Sequence, residues 1–125
     1  MIETRRILVV DDERVMTDYL SDLLRIKHEV ETVDSAAGAV ALIAENSYDL
    51  VLTDLQLESP EGGLEVVRAC RERGFPSLVM TAYATLDSAV LAMREGAEDF
   101  LAKPFGPSEL ERALARFAAP SRMAS

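Results

Sequence analysis

Short apolar runs alternate along the chain with longer stretches in which apolar residues recur every three or four positions. Ile7-Leu8-Val9-Val10 is continuously apolar, as a strand covered on both faces of a sheet requires. Behind it, Val15, Tyr19, Leu20, Leu23 and Leu24 fall on one side of a helix, with Thr17, Asp18, Ser21, Asp22 and Arg25 on the other. The same two-part unit then recurs. Glu29 to Val33 alternates as a strand, and Ser35 caps an alanine-rich helix bearing Val40 and Ile43. Leu50-Val51-Leu52-Thr53 precedes a loop with Pro60, Gly62 and Gly63, then a helix carrying Leu64, Val67 and Cys70 that ends near Gly74. Ser77 to Met80 is a strand placed directly after Pro76; Thr85 or Ser88 caps the next helix, with Leu86, Ala89, Val90 and Met93, and Gly96 closes it. Phe100-Leu101-Ala102 is the last strand, bounded by Lys103-Pro104. Ser108-Glu109-Leu110-Glu111 reads as a capping box opening a helix lined by Leu110, Ala113, Leu114 and Phe117.

Repeated β-then-α units predict a parallel sheet with helices on both faces, joined by right-handed crossovers. The expected fold is α/β: a doubly wound five-stranded parallel sheet, flavodoxin-like (βα)5, with strand order 2-1-3-4-5. Residues 1–119 form the one domain. Pro120 to Ser125 lacks periodicity and reads as a tail or a truncated linker.

Composition narrows the functions open to such a domain. The 125 residues carry 13 Lys and Arg against 22 Asp and Glu, a net charge of -9. That surface repels phosphate backbones and anionic lipid, which argues against nucleic-acid or membrane binding by this domain. Cys70 is the only cysteine, so an internal disulfide and a multi-cysteine metal site are both excluded. The apolar runs are too short to span a bilayer and the start has no apolar signal region, so a cytoplasmic domain is expected. His28, between Lys27 and Glu29, reads as a solvated loop histidine, and Cys70 as a small core residue.

Sites in doubly wound sheets lie beyond the carboxyl ends of the strands, where the strand order reverses. Asp11-Asp12-Glu13 follows the first strand, Asp54 the third, Thr81-Ala82 the fourth and Lys103 the fifth. With the first and third strands adjacent, Asp11, Asp12 and Asp54 converge. Two carboxylates about 4 Å apart repel by roughly 4 kcal/mol at an effective dielectric near 20, a cost that a cation offsets. Oxygen-only ligands with room for water suit Mg²⁺ better than Ca²⁺. Lys103 is placed to pair with Asp54 or with a phosphoryl oxygen, and Thr81 to donate a hydroxyl at the same level. A carboxylate so flanked is equipped to attack phosphorus and form an acyl phosphate. Taken singly, Asp11-Asp12 is usually turn chemistry or a helix cap, Asp54 an ordinary loop acid and Lys103-Pro104 most often a solvated strand end; it is their joint placement at the strand ends that points to chemistry.

The segments Ile7 to Glu13, Asp49 to Asp54, Met80-Thr81-Ala82 and Gly96 to Phe105, in this order and spacing, resemble the receiver domains of two-component response regulators. Ala84 to Val90 and Phe100 to Phe105 are most similar to receivers of the NtrC or FixJ type. The resemblance implies that Asp54 is the phospho-acceptor and that Asp12 and Asp54 bind Mg²⁺, or Mn²⁺ in its place. Asp11 would act through a metal-bound water, and the backbone carbonyl of Gln56 would supply a further ligand. Lys103 and Thr81 would bind the phosphoryl group, across a cis Lys103-Pro104 bond. Phe100 matches an aromatic switch position coupled to Thr81. The implied donor is a sensor histidine kinase or a phosphotransfer protein, and the implied target an output domain or a downstream protein, with homodimerisation on phosphorylation as a further expectation. Such a domain is no enzyme in the usual sense, since it catalyses only its own phosphorylation and dephosphorylation. Relatives commonly place a hydrophobic residue and a proline shortly after the acceptor; here Leu57 is followed by Glu58, proline comes later at Pro60, and the stretch to Gly63-Leu64 is one residue longer.

Two rival classes fit less well. An aspartyl phosphatase of the haloacid dehalogenase type has its nucleophile after the first strand and a second acid two residues on; that position here is Glu13, and a cap domain is missing. A flavodoxin-like FMN carrier needs hydroxyls and amides where Asp11-Asp12-Glu13 would repel the phosphate.

Overall fold

The alternation resolves, in the computed structural model, into β1 (Arg6–Val10), α1 (Arg14–Leu24), β2 (Glu29–Val33), α2 (Ala36–Glu45), β3 (Leu50–Asp54), α3 (Gly63–Arg73), β4 (Ser77–Thr81), α4 (Leu86–Glu95), β5 (Asp99–Ala102) and α5 (Pro107–Ala115). The structure describes residues 4–59 and 61–117. Pro60, the domain boundary at 119 and the tail at 120–125 lie outside the described residues. The strands pair in parallel in the order β2-β1-β3-β4-β5, as expected.

Side-chain alternation along the central strands sorts the core onto two faces. Ile7, Val9, Leu50, Leu52, Leu78 and Met80 pack with Leu20, Leu24 and Leu110 from α1 and α5. Leu8, Val10 and Val51 face the other way, towards Ala39, Ile43, Val66 and Cys70 of α2 and α3. Val79 joins Leu64, Val67 and Ala92 beneath α3 and α4. Cys70 is fully buried, and burial pushes its thiol up to about 12, so it stays protonated at neutral pH.

Of the three helices for which the sequence offers a cap, α2 and α4 follow it and α5 does not. Ser35 Oγ accepts from the Gly38 N–H at 3.0 Å. Thr85 caps α4 by accepting from the Ser88 N–H at 3.0 Å, and Ser88 Oγ accepts in return from the Thr85 N–H at 3.0 Å. Ser88 is thus the reciprocal partner and not an alternative cap. The last helix departs from the Ser108 box: Gly106 is its N-cap, Pro107 its first residue, and Glu109 Oε1 accepts from the Gly106 N–H at 3.1 Å. Proline favours the first helical position because its φ is already helical and it has no N–H to satisfy, so the helix starts before Ser108.

His28 also departs from the expected solvated loop residue. It is half-buried at the amino end of the sheet, and its Nδ1 accepts from the Arg5 N–H at 3.1 Å. The Arg5 guanidinium donates in turn to the Leu114 carbonyl at 3.3 Å, tying the start of β1 to the end of α5. An acceptor nitrogen must be unprotonated. Burial, and then the positive charges of Arg5 and Lys27, hold the imidazole below its ordinary value of 6.5. The unfolded chain therefore binds the extra proton first as pH falls, so this contribution to stability is present above 6.5 and is lost below it. Between about pH 7.5 and about pH 5.5, the urea midpoint of the native protein is expected to fall further than that of His28→Gln. Equal falls in the two proteins would rule the linkage out.

Candidate functional site

The strand alternation that builds the core also builds the site. On the α1/α5 face the series Ile7, Val9 continues to Asp11, Leu50, Leu52 to Asp54, and Leu101 to Lys103. Val10 pairs with Thr53, so Asp11 and Asp54 leave the sheet as neighbours on adjacent strands, and Lys103 reaches back from β5. The Lys103 ammonium lies 2.8 Å from Asp11 Oδ2, 3.1 Å from Asp54 Oδ2 and 3.6 Å from Glu13 Oε1. Asp11 Oδ1 accepts from the Glu13 N–H at 2.9 Å, and Asp54 Oδ1 from the Gln56 N–H at 3.2 Å. Asp11 and Asp54 are buried and Asp12 is exposed, yet each of the three offers a carboxylate oxygen within 4.8 Å of the others.

These contacts are unequal, and the inequality sets the basicity of the groups. Burial alone would lower the Lys103 ammonium, but the hydrogen bonds and charges of Asp11 and Asp54 outweigh it and hold the ammonium above its ordinary value. Burial pushes the Asp54 carboxyl up against the opposing pull of Lys103 and the Gln56 N–H, and the Asp11 charge adds to the rise. Lys103 is the closer partner of Asp11. A carboxylate raised by burial is more basic than a solvated one, and a more basic oxygen is a better nucleophile.

Thr81 ends β4 fully buried, and its Oγ1 accepts from the Tyr83 N–H at 3.1 Å. Register pairs Thr81 with Ala102 and Val79 with Phe100, which puts Thr81 and Phe100 on one face of the sheet, the face of α3 and α4. Phe100 is half-buried against the cluster of Leu64, Val67, Val79 and Ala92. The structure thus brings Asp11, Asp12, Asp54 and Lys103 together, sets Gln56 against Asp54 through its N–H, and holds Thr81 and Phe100 on the adjoining strands. The Lys103-Pro104 bond is cis, as the resemblance implies. Sequence reasoning missed Glu58, whose carboxylate crosses to α2; a glutamate carries no signal of such a contact.

Residues 7–115 match the family model of the response regulator receiver domain. The chain belongs to this family. The receiver is 40% identical over 116 residues to the response regulator protein FleR of Pseudomonas aeruginosa, a match covering 90% of this chain and 24% of FleR. It is 39% identical over 123 residues to the response regulator MprA of a Mycobacterium species, covering 96% of this chain and 52% of MprA. The chain thus spans about half or less of the length of these relatives. Among solved structures it is similar to the receiver domain of the sensor histidine kinase PA1611 of P. aeruginosa, with TM-score 0.81 and 30% identity over 92% of this chain and 98% of that one. That neighbour has a magnesium ion coordinated in its active site cleft. The donor set of this receiver fits such an ion: three carboxylates, all hard oxygen ligands, one of them open to solvent.

Lys103→Met leaves two buried carboxylates facing each other without a cation. In metal-free buffer it is expected to lower the unfolding free energy in urea by about 3 kcal/mol, with Asp11→Asn in the same background recovering most of the loss. A Lys103→Met protein within about 0.5 kcal/mol of the native one would show that the ammonium is not what holds the site together.

Proposed function

We propose that this receiver takes a phosphoryl group onto Asp54 from a phosphohistidine of a sensor histidine kinase or phosphotransfer protein in the cytoplasm. The single observation that carries this reading is the buried, incompletely compensated Asp54 carboxylate beside Asp11, Asp12 and Lys103. An Asp54 oxygen attacks phosphorus, an O–P bond forms as the P–N bond breaks, and the imidazole leaves as the neutral ring once protonated. Asp11, Asp12, Asp54 and the Gln56 carbonyl would hold Mg²⁺, with Mn²⁺ as a substitute. When bound, Mg²⁺ supplies positive charge that offsets the charge on the phosphoryl oxygens. Lys103 holds a second positive charge against the same oxygens, and the Thr81 hydroxyl donates to one of them.

The new charge then acts on the neighbouring strands. A phosphoryl group adds about 1.5 to 2 negative charges and three acceptor oxygens, which compete with the present environment of Thr81. Movement of Thr81 towards Asp54 opens space on the shared face for Phe100 to turn inward. The surface of α4, β5 and α5 changes with it, where Tyr83, Leu86, Val90 and Met93 are already exposed at 68%, 80%, 40% and 46%. Exposed apolar side chains in one region suit contact with an output domain, a downstream protein or a second receiver.

Phosphoramidate with Mg²⁺ is expected to add one phosphoryl group to the intact protein, as an acid-stable and base-labile adduct. The adduct should be lost in Asp54→Asn and on chelation of the metal. Unlabelled native protein, or steady turnover of a bulk phosphate ester, would contradict the reading. Beryllofluoride with Mg²⁺ should shift backbone amide signals across residues 81–105, with the Phe100 ring signals among them. Shifts confined to residues next to Asp54 would leave the acceptor chemistry intact and defeat the switch.

A further inference from the structure

We propose that Glu58 is a positioning residue for the acceptor, tethering the loop after β3 to the start of α2 and so holding Gln56 against Asp54. The inference rests on the reading of Asp54 as the acceptor. Glu58 has φ 60, and among the described residues it is the only one besides glycine with positive φ. Left-handed backbone is disfavoured for a side chain such as glutamate, which has no short polar group to bond its own backbone there. The Ser59 N–H donates to the Leu57 carbonyl, so residues 57–59 form a three-residue turn of the positive-φ, strained kind. Such a conformation persists only where surrounding contacts outweigh it.

The contact that stands out is long in sequence. Glu58 Oε1 accepts from the Ala36 N–H at 2.9 Å, across 22 residues. Ala36 opens α2, and the first N–H groups of a helix have no partner inside it. Ser35 does not serve this one, because its Oγ accepts from Gly38. A carboxylate at that end of the helix is also favoured by the helix dipole.

The far side of the same loop is fixed by backbone packing. A Cβ on Gly63 would stand 2.1 Å from the Asp54 carbonyl oxygen, and one on Gly62 2.0 Å from that of Leu57. Leu57 itself is buried with Val10, Ala36, Val51 and Val66. Between these anchors, the Gln56 N–H donates to Asp54 Oδ1 at 3.2 Å. The loop is therefore clamped on α3 by glycine contacts and on α2 by Glu58, and the piece so held carries both the Gln56 amide and its carbonyl.

Three variants in the full chain separate the tether from the backbone strain. Glu58→Ala and Glu58→Gly remove the tether, and glycine also removes the strain, since it adopts positive φ freely. Glu58→Gln keeps an oxygen that can accept from the Ala36 N–H. In both tetherless variants we expect amide exchange at Gln56 and the dissociation constant for Mg²⁺ to rise about tenfold, the worth of one hydrogen bond to a charged group. Phosphoramidate labelling of Asp54 should slow in step, while Glu58→Gln stays near the native values. Glu58→Gly is expected to match the native urea midpoint, so a loss in that variant reports positioning and not unfolding. Native Gln56 exchange and Mg²⁺ affinity in Glu58→Gly would overturn the proposal, as would a Glu58→Gln protein as impaired as Glu58→Ala. Absence of labelling in the native protein would instead overturn the acceptor reading, and Gln56 exchange would still decide the tether.

Discussion

The Lys103 ammonium is shared between two carboxylates shielded from solvent, at 2.8 Å from Asp11 and 3.1 Å from Asp54. Without that charge the two acids would repel by roughly 4 kcal/mol at about 4 Å and an effective dielectric near 20. That is a large part of the 5–15 kcal/mol, roughly, that holds a typical domain folded. One lysine cannot compensate both acids equally, and it stands closer to Asp11. Burial pushes the Asp54 carboxyl up in spite of the pull of Lys103. The site is consequently short of positive charge, a condition that favours a divalent cation among its carboxylates.

This arrangement depends on register more than on any loop. Asp11, Asp54 and Lys103 each extend an apolar series on the same face by one step of two residues. Slipping β1 against β3 by a single residue would turn Asp11 to the α2 side and bury Val10 where Val9 now packs. β3, buried throughout, and β1, buried from Ile7 on, resist such a slip through their hydrophobic contacts on both faces, so the core fixes the spacing of the charges. Function and packing are set by the same alternation.

That coupling explains what was legible in the sequence. Continuous apolar runs identified the central strands, amphipathic spacing the helices, and the acids directly after those runs the site, because each signal is local and periodic. The strand order and the meeting of Asp11 with Asp54 followed from the rules of parallel βαβ connection. What escaped is long-range and aperiodic. The Arg5 N–H to His28 spans 23 residues and the Glu58 carboxylate to Ala36 spans 22, and neither leaves a pattern in the chain. Ser108 misled for a local reason: a serine three residues before an acid matches a capping box, but Pro107 is the stronger helix starter.

The start of β1 and the carboxyl end of the sheet are built differently. At the amino end of β1 a neutral His28 accepts from the Arg5 N–H, Arg5 donates to the Leu114 carbonyl, and the Asp49 carboxylate accepts from the Arg6 N–H at 2.8 Å, so these donors and acceptors are paired. At the carboxyl end Asp11, Asp54 and Glu13 crowd one ammonium, with Asp12 beside the first two, and the Thr81 hydroxyl oxygen accepts from the Tyr83 N–H. A domain that must respond to a single added phosphoryl group needs one region whose electrostatics are unfinished and a scaffold that does not yield when they are completed. Paired bonds at the start of β1 and uncompensated charge at the carboxyl end suit both needs: under the proposed switch the response would run along β4 and β5 towards α4 and α5, with the well-packed α1–β1 side as the frame against which that movement is set.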